Sequence, residues 1–306
     1  MQSTNTILLI RPYNFVFNPE TADSNSFQNN SANLDKESVR QKALEEFEVF
    51  AEKLKSKGVQ VFIFDDTQAP QKPDAIFPNN WITFHEDGTV ILYPMFAKNR
   101  RHEKRQDIID SLRKNFSVNK IIDLSVYEKE NKFLEGTGSM VFDHENKIGY
   151  ACLSPRTDKE LFIRVCEILN YKPVYFQAKD KDRMEIYHTN VMMCIGEKFA
   201  VICLDCIPDK QERDFISHSL MNTGHEVIEI TNEQMNHFAG NMLAIQTSKN
   251  KSILALSQSA FDSLTANQKK EIEKYSELVP LFINTIETIG GGSARCMMAE
   301  IFLQAK

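Results

Sequence analysis

The sequence predicts an α/β fold of five strand–helix units arranged in a ring. Three features point to it. Four hairpin patterns recur at a near-constant spacing, a helical pattern and a lone β-rich run follow each, and an unusual polar motif precedes each. The hairpins read as apolar runs around polar turns, at Trp81 to Tyr93, Ser139 to Cys152, Val191 to Leu204 and Met242 to Leu256. Their starts fall roughly 50 to 60 residues apart, a period that signals repeat architecture.

Along the chain, "TILLI" near the N-terminus reads as a first strand. A helix is predicted over Lys36 to Lys57, with Val39, Ala43, Phe47, Phe50 and Leu54 at helical spacing, and a strand follows over Val59 to Phe64. Helical patterns over Arg100 to Asn115, Asp158 to Asn170, Lys210 to Asn222 and Phe261 to Tyr275 lead to "KIIDL", "KPVYF", "EVIEI" and "VPLFI". The first strand and a C-terminal helix after Cys296 close the ring, which gives one domain over residues 1–306. The polar segment Phe17 to Asn33 has no periodicity. Loops of that length in compact domains are often functional, and this one reads as a cover over the site.

Of the 306 residues, 42% are hydrophobic and 25% charged, the composition of an ordinary globular protein. A formal net charge of −6 argues against nucleic-acid and anionic-membrane partners. The basic run "KNRRHEKR" (Lys98 to Arg105) reads first as a solvated helix start. No apolar stretch approaches the ~20 residues needed to span a bilayer, and the N-terminus lacks the charged flank of a signal peptide. The six cysteines show no metal-site spacing. Cys203 and Cys206 form an isolated CxxC at a strand end, and a reducing cytoplasm fits the set. No metal and no cofactor are expected.

The polar motifs carry the chemistry. They are "FPNN" (Phe77 to Asn80), "FLEGTG" (Phe133 to Gly138), "YHTN" (Tyr187 to Asn190), "FAGN" (Phe238 to Asn241) and "GGGSARC" (Gly290 to Cys296). Equivalent positions in a ring of repeats lie at one end, so Asn79, Glu135, His188, Asn241 and Cys296 are expected to converge. A thiol placed at a helix start by a glycine triplet is a good nucleophile, because helix N-termini favour the reactive thiolate.

In combination and in order, "PNN", "EGTG", "SPRT", "HTN" and "GGGSARCM" resemble the guanidino-group modifying enzymes: arginine deiminases, dimethylarginine dimethylaminohydrolases and amidinotransferases. The resemblance implies a five-bladed β/α-propeller, the pentein fold. Within that superfamily "RPYNFVFNPETADSNSFQ" and "FLEGTGSMVFD" look most like the bacterial citrulline-utilisation hydrolases, or citrulline ureidases. By that resemblance Cys296 is the nucleophile and His188 the general acid/base. Glu135 is the catalytic carboxylate, although Thr137 and Gly138 replace the Gly and Asp of the family's EGGD-type motif. Arg156 and Arg101, or its neighbour Arg100, are implied to hold the substrate α-carboxylate, and Asn79 to contact substrate. The resemblance implies a small amino-acid substrate and allows a homodimer.

Two departures bear on the substrate. Asn190 and His85 stand where arginine deiminases carry aspartates that grip the guanidinium. Charge-assisted contacts of that kind are about twice as strong as neutral ones. An asparagine amide, which both donates and accepts, suits a neutral ureido group instead. The expected reaction is therefore hydrolysis of citrulline to ornithine, ammonia and carbon dioxide through an S-carbamoyl enzyme. His188 as imidazolium would protonate the leaving nitrogen. The alternatives are action on a guanidino group (arginine deiminase, dimethylarginine hydrolase or amidinotransferase) and a non-catalytic binding member of the fold. The Cys296, His188 and Glu135 set argues against the last.

Overall fold

The computed structural model describes residues 1–29 and 35–306. These residues form five three-stranded sheets with one repeated pattern. In the first, Ile82–Phe84 runs antiparallel to Thr89–Leu92, which pairs in parallel with Lys120–Asp123. The same order holds for Val141–Asp143, Ile148–Leu153 and Lys172–Gln177. It recurs in Met193–Ile195, Phe199–Ile202 and Glu226–Glu229, and in Leu243–Gln246, Ser252–Ser257 and Glu277–Leu281. The fifth sheet joins the two ends of the chain: Ala299–Glu300 lies antiparallel to Thr6–Arg11, which pairs in parallel with Gln60–Asp65.

Helices supply the crossovers that parallel strands require. Lys159–Leu169 is capped by the Asp158 carboxylate on the Leu161 N–H and ends at Asn170 in the left-handed region. Lys36–Ser56 and Lys210–Asn222 start at Asp35 and Asp209 in the same way. The predicted face of the first of these, Val39 to Leu54, is buried against Ile7, Leu9, Ile286 and Met297. Two predicted helices are split. Arg100 to Asn115 becomes a 3₁₀ turn Asn99–Glu103 and a helix Gln106–Leu112, and Phe261 to Tyr275 becomes Gln258–Ser263 and Ala266–Glu273. The second split follows from Thr265, whose capping box starts a new helix.

One expectation is corrected. The segment after Cys296 is not a helix: a single turn at Ser293–Met297, closed by the Cys296 N–H on the Ser293 carbonyl (2.9 Å), leads straight into Ala299–Glu300. Its apolar spacing fits a helix locally, but pairing of Ile7 with Glu300 and Leu8 with Ala299 decides its conformation. The thiol therefore does not sit at the N-terminus of a helix.

A short helical turn precedes each of the four hairpins, at Pro78–Asn80, Gly136–Ser139, Thr189–Met192 and Phe238–Asn241, and a fifth, Ser293–Met297, precedes the strand Ala299–Glu300. These turns pack backbone against backbone. Gly136 has φ +46°, and a β-carbon there would lie 2.2 Å from the Asn79 carbonyl oxygen; one on Gly240 would lie 2.3 Å from that of Val191. Only glycine permits this approach. Among the described residues no helix is long and apolar enough to cross a membrane.

Candidate active site

The turns bring their polar side chains to one buried space. Cys296 and His188 line it with Asn80, Arg100, Arg156 and Tyr187. Glu135 sits directly behind His188, with its Oε2 2.8 Å from His188 Nε2 and its Oε1 accepting the Phe96 N–H at 3.0 Å. Arg156 and Arg100 stand 3.6 and 3.7 Å from the same carboxylate. Burial pushes the Glu135 carboxyl up, but Arg156, the His188 bond and Arg100 outweigh it and hold the group below its usual range. Burial pulls His188 down to about 4, against the raising effect of Glu135 and with Arg156 and Arg100 adding to the fall. The site thus holds an ionised glutamate and a neutral imidazole. Nε2 must carry the proton to bond the carboxylate, which leaves Nδ1 as the free base.

The Cys296 sulfur lies 3.2 Å from Asn241 Nδ2 and 3.5 Å from Asn190 Nδ2. The loop before it is tied down at the Gly291 carbonyl, which accepts from Tyr187 Oη at 2.6 Å and from Asn25 Nδ2 at 3.1 Å.

Asn25 belongs to the segment expected to form a cover. Residues 30–33 of that segment lie outside the described residues, but 17–29 pack over the site. Asn18 caps the turn Pro19–Ala22 and donates to Asp74 Oδ2 at 2.7 Å. Phe27 packs on Tyr187 and Phe238, with ring centroids 6.0 and 5.1 Å away. The Thr21 carbonyl and Ser24 Oγ accept from the buried Arg156 guanidinium at 3.0 and 2.6 Å. Arg156 also stacks over the Tyr187 ring at 5.0 Å.

Two predicted residues lie elsewhere. The Arg101 guanidinium turns away, donating to the Met95 and Phe96 carbonyls and lying over Phe133. Its neighbour Arg100 is the one that faces the site, held by Glu103 at 2.8 and 2.9 Å and donating to Asn80 Oδ1 at 3.0 Å. His85 bonds Thr83 Oγ1 (2.8 Å) and opens onto a separate cavity lined by Met1, His144, Lys147 and Phe302. The strand Ile82–Phe84 carries the chain ~10 Å from the turn Pro78–Asn80 toward the hairpin tip, and His85 does not line the space that Cys296 lines. Asn79 is buried beside the site, its Nδ2 3.3 Å from Thr137 Oγ1 and its Oδ1 without a partner.

Sequence reasoning missed Asp74 and Asn80. Both line the space, and each keeps one buried atom without a partner, Asp74 Oδ1 and Asn80 Nδ2. Asn80 was visible within "FPNN". Asp74 sits in an irregular stretch with no periodic signal. Among the described residues no cluster of three His, Cys, Asp or Glu side chains could hold a metal ion.

A family model described as "N,N dimethylarginine dimethylhydrolase, eukaryotic" matches residues 11–303. Among curated proteins, no sequence matches this chain. Among solved structures the chain is similar to apo ArgZ, an arginine dihydrolase from the ornithine–ammonia cycle in cyanobacteria. The TM-score is 0.76 at 16% identity, and the match covers 97% of this chain but only 40% of that one. The N-terminal domain of ArgZ bound to substrate matches over 97% of this chain and 99% of its own, with TM-score 0.74 and 16% identity. A dimethylarginine dimethylaminohydrolase variant carrying an S-methyl-L-thiocitrulline adduct matches at TM-score 0.66 and 14% identity, over 98% of this chain and 100% of its own. At such identities the likeness establishes the fold, the five-bladed β/α-propeller that the sequence predicts. With a family model spanning nearly its whole length, the chain belongs to the N,N dimethylarginine dimethylhydrolase family.

Proposed function

We propose that this protein is a cysteine-dependent hydrolase of carbon–nitrogen bonds that acts on the ureido group of citrulline. One observation carries the choice of substrate. Arg100 Nη1 donates to Asn80 Oδ1 at 3.0 Å, which fixes the amide so that Nδ2, buried and unpartnered, lies beside Gly138 and His188, and Asn80 lines the cavity. A buried donor without an acceptor costs ~1–3 kcal/mol. A guanidinium offers only donors and leaves that cost in place, whereas a ureido oxygen accepts. Asn190, beside the sulfur, is likewise neutral.

In the proposed reaction His188 Nδ1 takes the Cys296 proton and the thiolate attacks the ureido carbon. The imidazolium returns that proton to the δ-nitrogen as the carbon–nitrogen bond breaks, and ornithine leaves. The neutral His188 then takes a proton from water, and hydroxide attacks the S-carbamoyl carbon. Collapse of the adduct expels the Cys296 thiolate, which takes back the proton held on His188, and carbamic acid leaves and falls to ammonia and carbon dioxide. Glu135 holds the imidazole tautomer and stabilises its charged form. Arg156 exchanges Thr21 and Ser24 for the substrate α-carboxylate, and Asp74 Oδ1 accepts from the α-ammonium. General acid–base assistance of this kind is worth about 10²- to 10⁴-fold.

A second reading, a guanidino substrate, is favoured by Asp74. Its unpartnered oxygen could serve a guanidinium, and the family description names dimethylarginine. Incubation with citrulline, arginine and dimethylarginine separately, followed by amino-acid and ammonia analysis, decides between them. Ornithine and ammonia from citrulline support the proposal; citrulline formed from arginine or dimethylarginine overturns it.

A further inference from the structure

We propose that Asn241 is a catalytic residue whose side-chain N–H donates to the Cys296 sulfur and stabilises the thiolate as it forms and as it leaves the S-carbamoyl group. This rests on Cys296 being the nucleophile of the reaction above. With no helix behind it, the sulfur has to find its stabilisation in discrete donors. Among the described residues, the side-chain donors that reach it are the amides of Asn190 and Asn241, and Asn241 is the nearer at 3.2 Å.

The Asn241 amide has one orientation. Its Oδ1 accepts from the backbone N–H groups of Arg295 (3.0 Å) and Cys296 (3.4 Å), so its NH₂ is turned to the sulfur and to the Asn190 carbonyl (2.9 Å). Asn190 has no such lock, because its Oδ1 also lies within 3.9 Å of the sulfur. Asn241 is fully buried, which strengthens a donor aimed at a developing anion. One side chain thus grips the backbone of the nucleophile turn and presents a proton to its sulfur. The donor is set before substrate arrives and needs no rearrangement when charge develops.

The test is Asn241→Asp, which keeps an acceptor for both backbone N–H groups but turns an unprotonated oxygen to the sulfur. Two readouts are taken on the whole protein: citrulline turnover, and alkylation of Cys296 by iodoacetamide at neutral pH, followed by peptide mass. The expected result is a fall in kcat of about 100-fold or more, in the range of lost oxyanion-type donors, with KM within about threefold. Alkylation slows at least ~10-fold, because the thiolate is the reacting form. Circular dichroism stays unchanged. If Asn241→Asp does not fold, Asn241→Ser is read by the same criteria. Alkylation in a folded variant that is as fast as wild type, or faster because the site has opened, overturns the proposal and leaves Asn241 a packing residue. Wild-type protein that is alkylated but leaves citrulline intact defeats the function proposed above, and the alkylation arm still decides this one.

Discussion

The Gly291 carbonyl offers a measurable link between the cover and the nucleophile loop. It accepts two buried donors, Tyr187 Oη at 2.6 Å and Asn25 Nδ2 at 3.1 Å, from different parts of the chain. Tyr187→Phe removes the first without opening a cavity. The carbonyl keeps its second partner, so the loss is that of one ordinary hydrogen bond, about 1 kcal/mol. Asn25→Ala removes the second and also the turn bond that Asn25 Oδ1 accepts from the Phe27 N–H, again about 1 kcal/mol. The double variant leaves a buried carbonyl with neither donor and adds a desolvation penalty of about 1–3 kcal/mol. The turn-bond loss is common to both arms of the double-mutant cycle and cancels. Urea unfolding of the four proteins should therefore give a destabilising coupling of at least about 1 kcal/mol, with kcat falling further in the double variant than the single effects multiply to. Coupling within ~0.5 kcal/mol of zero, as for independent sites, would refute the idea that both groups serve one carbonyl.

Other outcomes follow from the same geometry. Because His188 lies at about 4, below its usual 6.5, protonating it is uphill in the folded state. Stability from this group is complete above pH 6.5 and lost as pH falls toward 4, by about 3 kcal/mol, and comparing wild type with His188→Gln across that window isolates it from His85, which titrates similarly. The same depression places the acid limb of kcat/KM well below 6; a limb near 6.5 would contradict a neutral imidazole base. Gly136→Ala, which forces a β-carbon to 2.2 Å from the Asn79 carbonyl at positive φ, should cost about 2 kcal/mol or more and abolish turnover, read by thermal unfolding and rate. Arg101→Ala should leave kcat/KM within about threefold, whereas Arg156→Ala should lower it by two orders of magnitude or more; equal losses would restore Arg101 to the site.

The ring was legible because it is a repeat. Each hairpin, crossover helix and polar turn repeats one local pattern, so an error in one blade is corrected by the other four. That redundancy brought Glu135, His188, Asn241 and Cys296 together before any coordinates. The failures fall where the repeat gives no information. Met297 to Leu303 shows helical apolar spacing, yet its partner strand begins at Thr6, at the far end of the sequence. Arg100 and Arg101 are neighbours in a 3₁₀ turn, where successive side chains diverge by about a third of a revolution, and composition cannot say which faces inward. The motif match puts His85 at the site, whereas its position after the strand Ile82–Phe84 puts it at the hairpin tip. Asp74 is held in place by Asn18 from the cover, a contact that no periodicity announces.

The fifth blade has a consequence for how activity arises. Cys296 stands just ahead of Ala299–Glu300, the strand laid against Thr6–Arg11, and the seam is reinforced by the Thr4 hydroxyl on the Ile301 carbonyl at 2.8 Å and the Ile301 N–H on the Thr6 carbonyl at 2.9 Å. The segment that stitches the circle shut also carries the proposed nucleophile, Cys296. On the proposed mechanism, a chain whose seam is open would lack the sulfur beside the His188–Glu135 pair, so closing the ring and completing the site coincide.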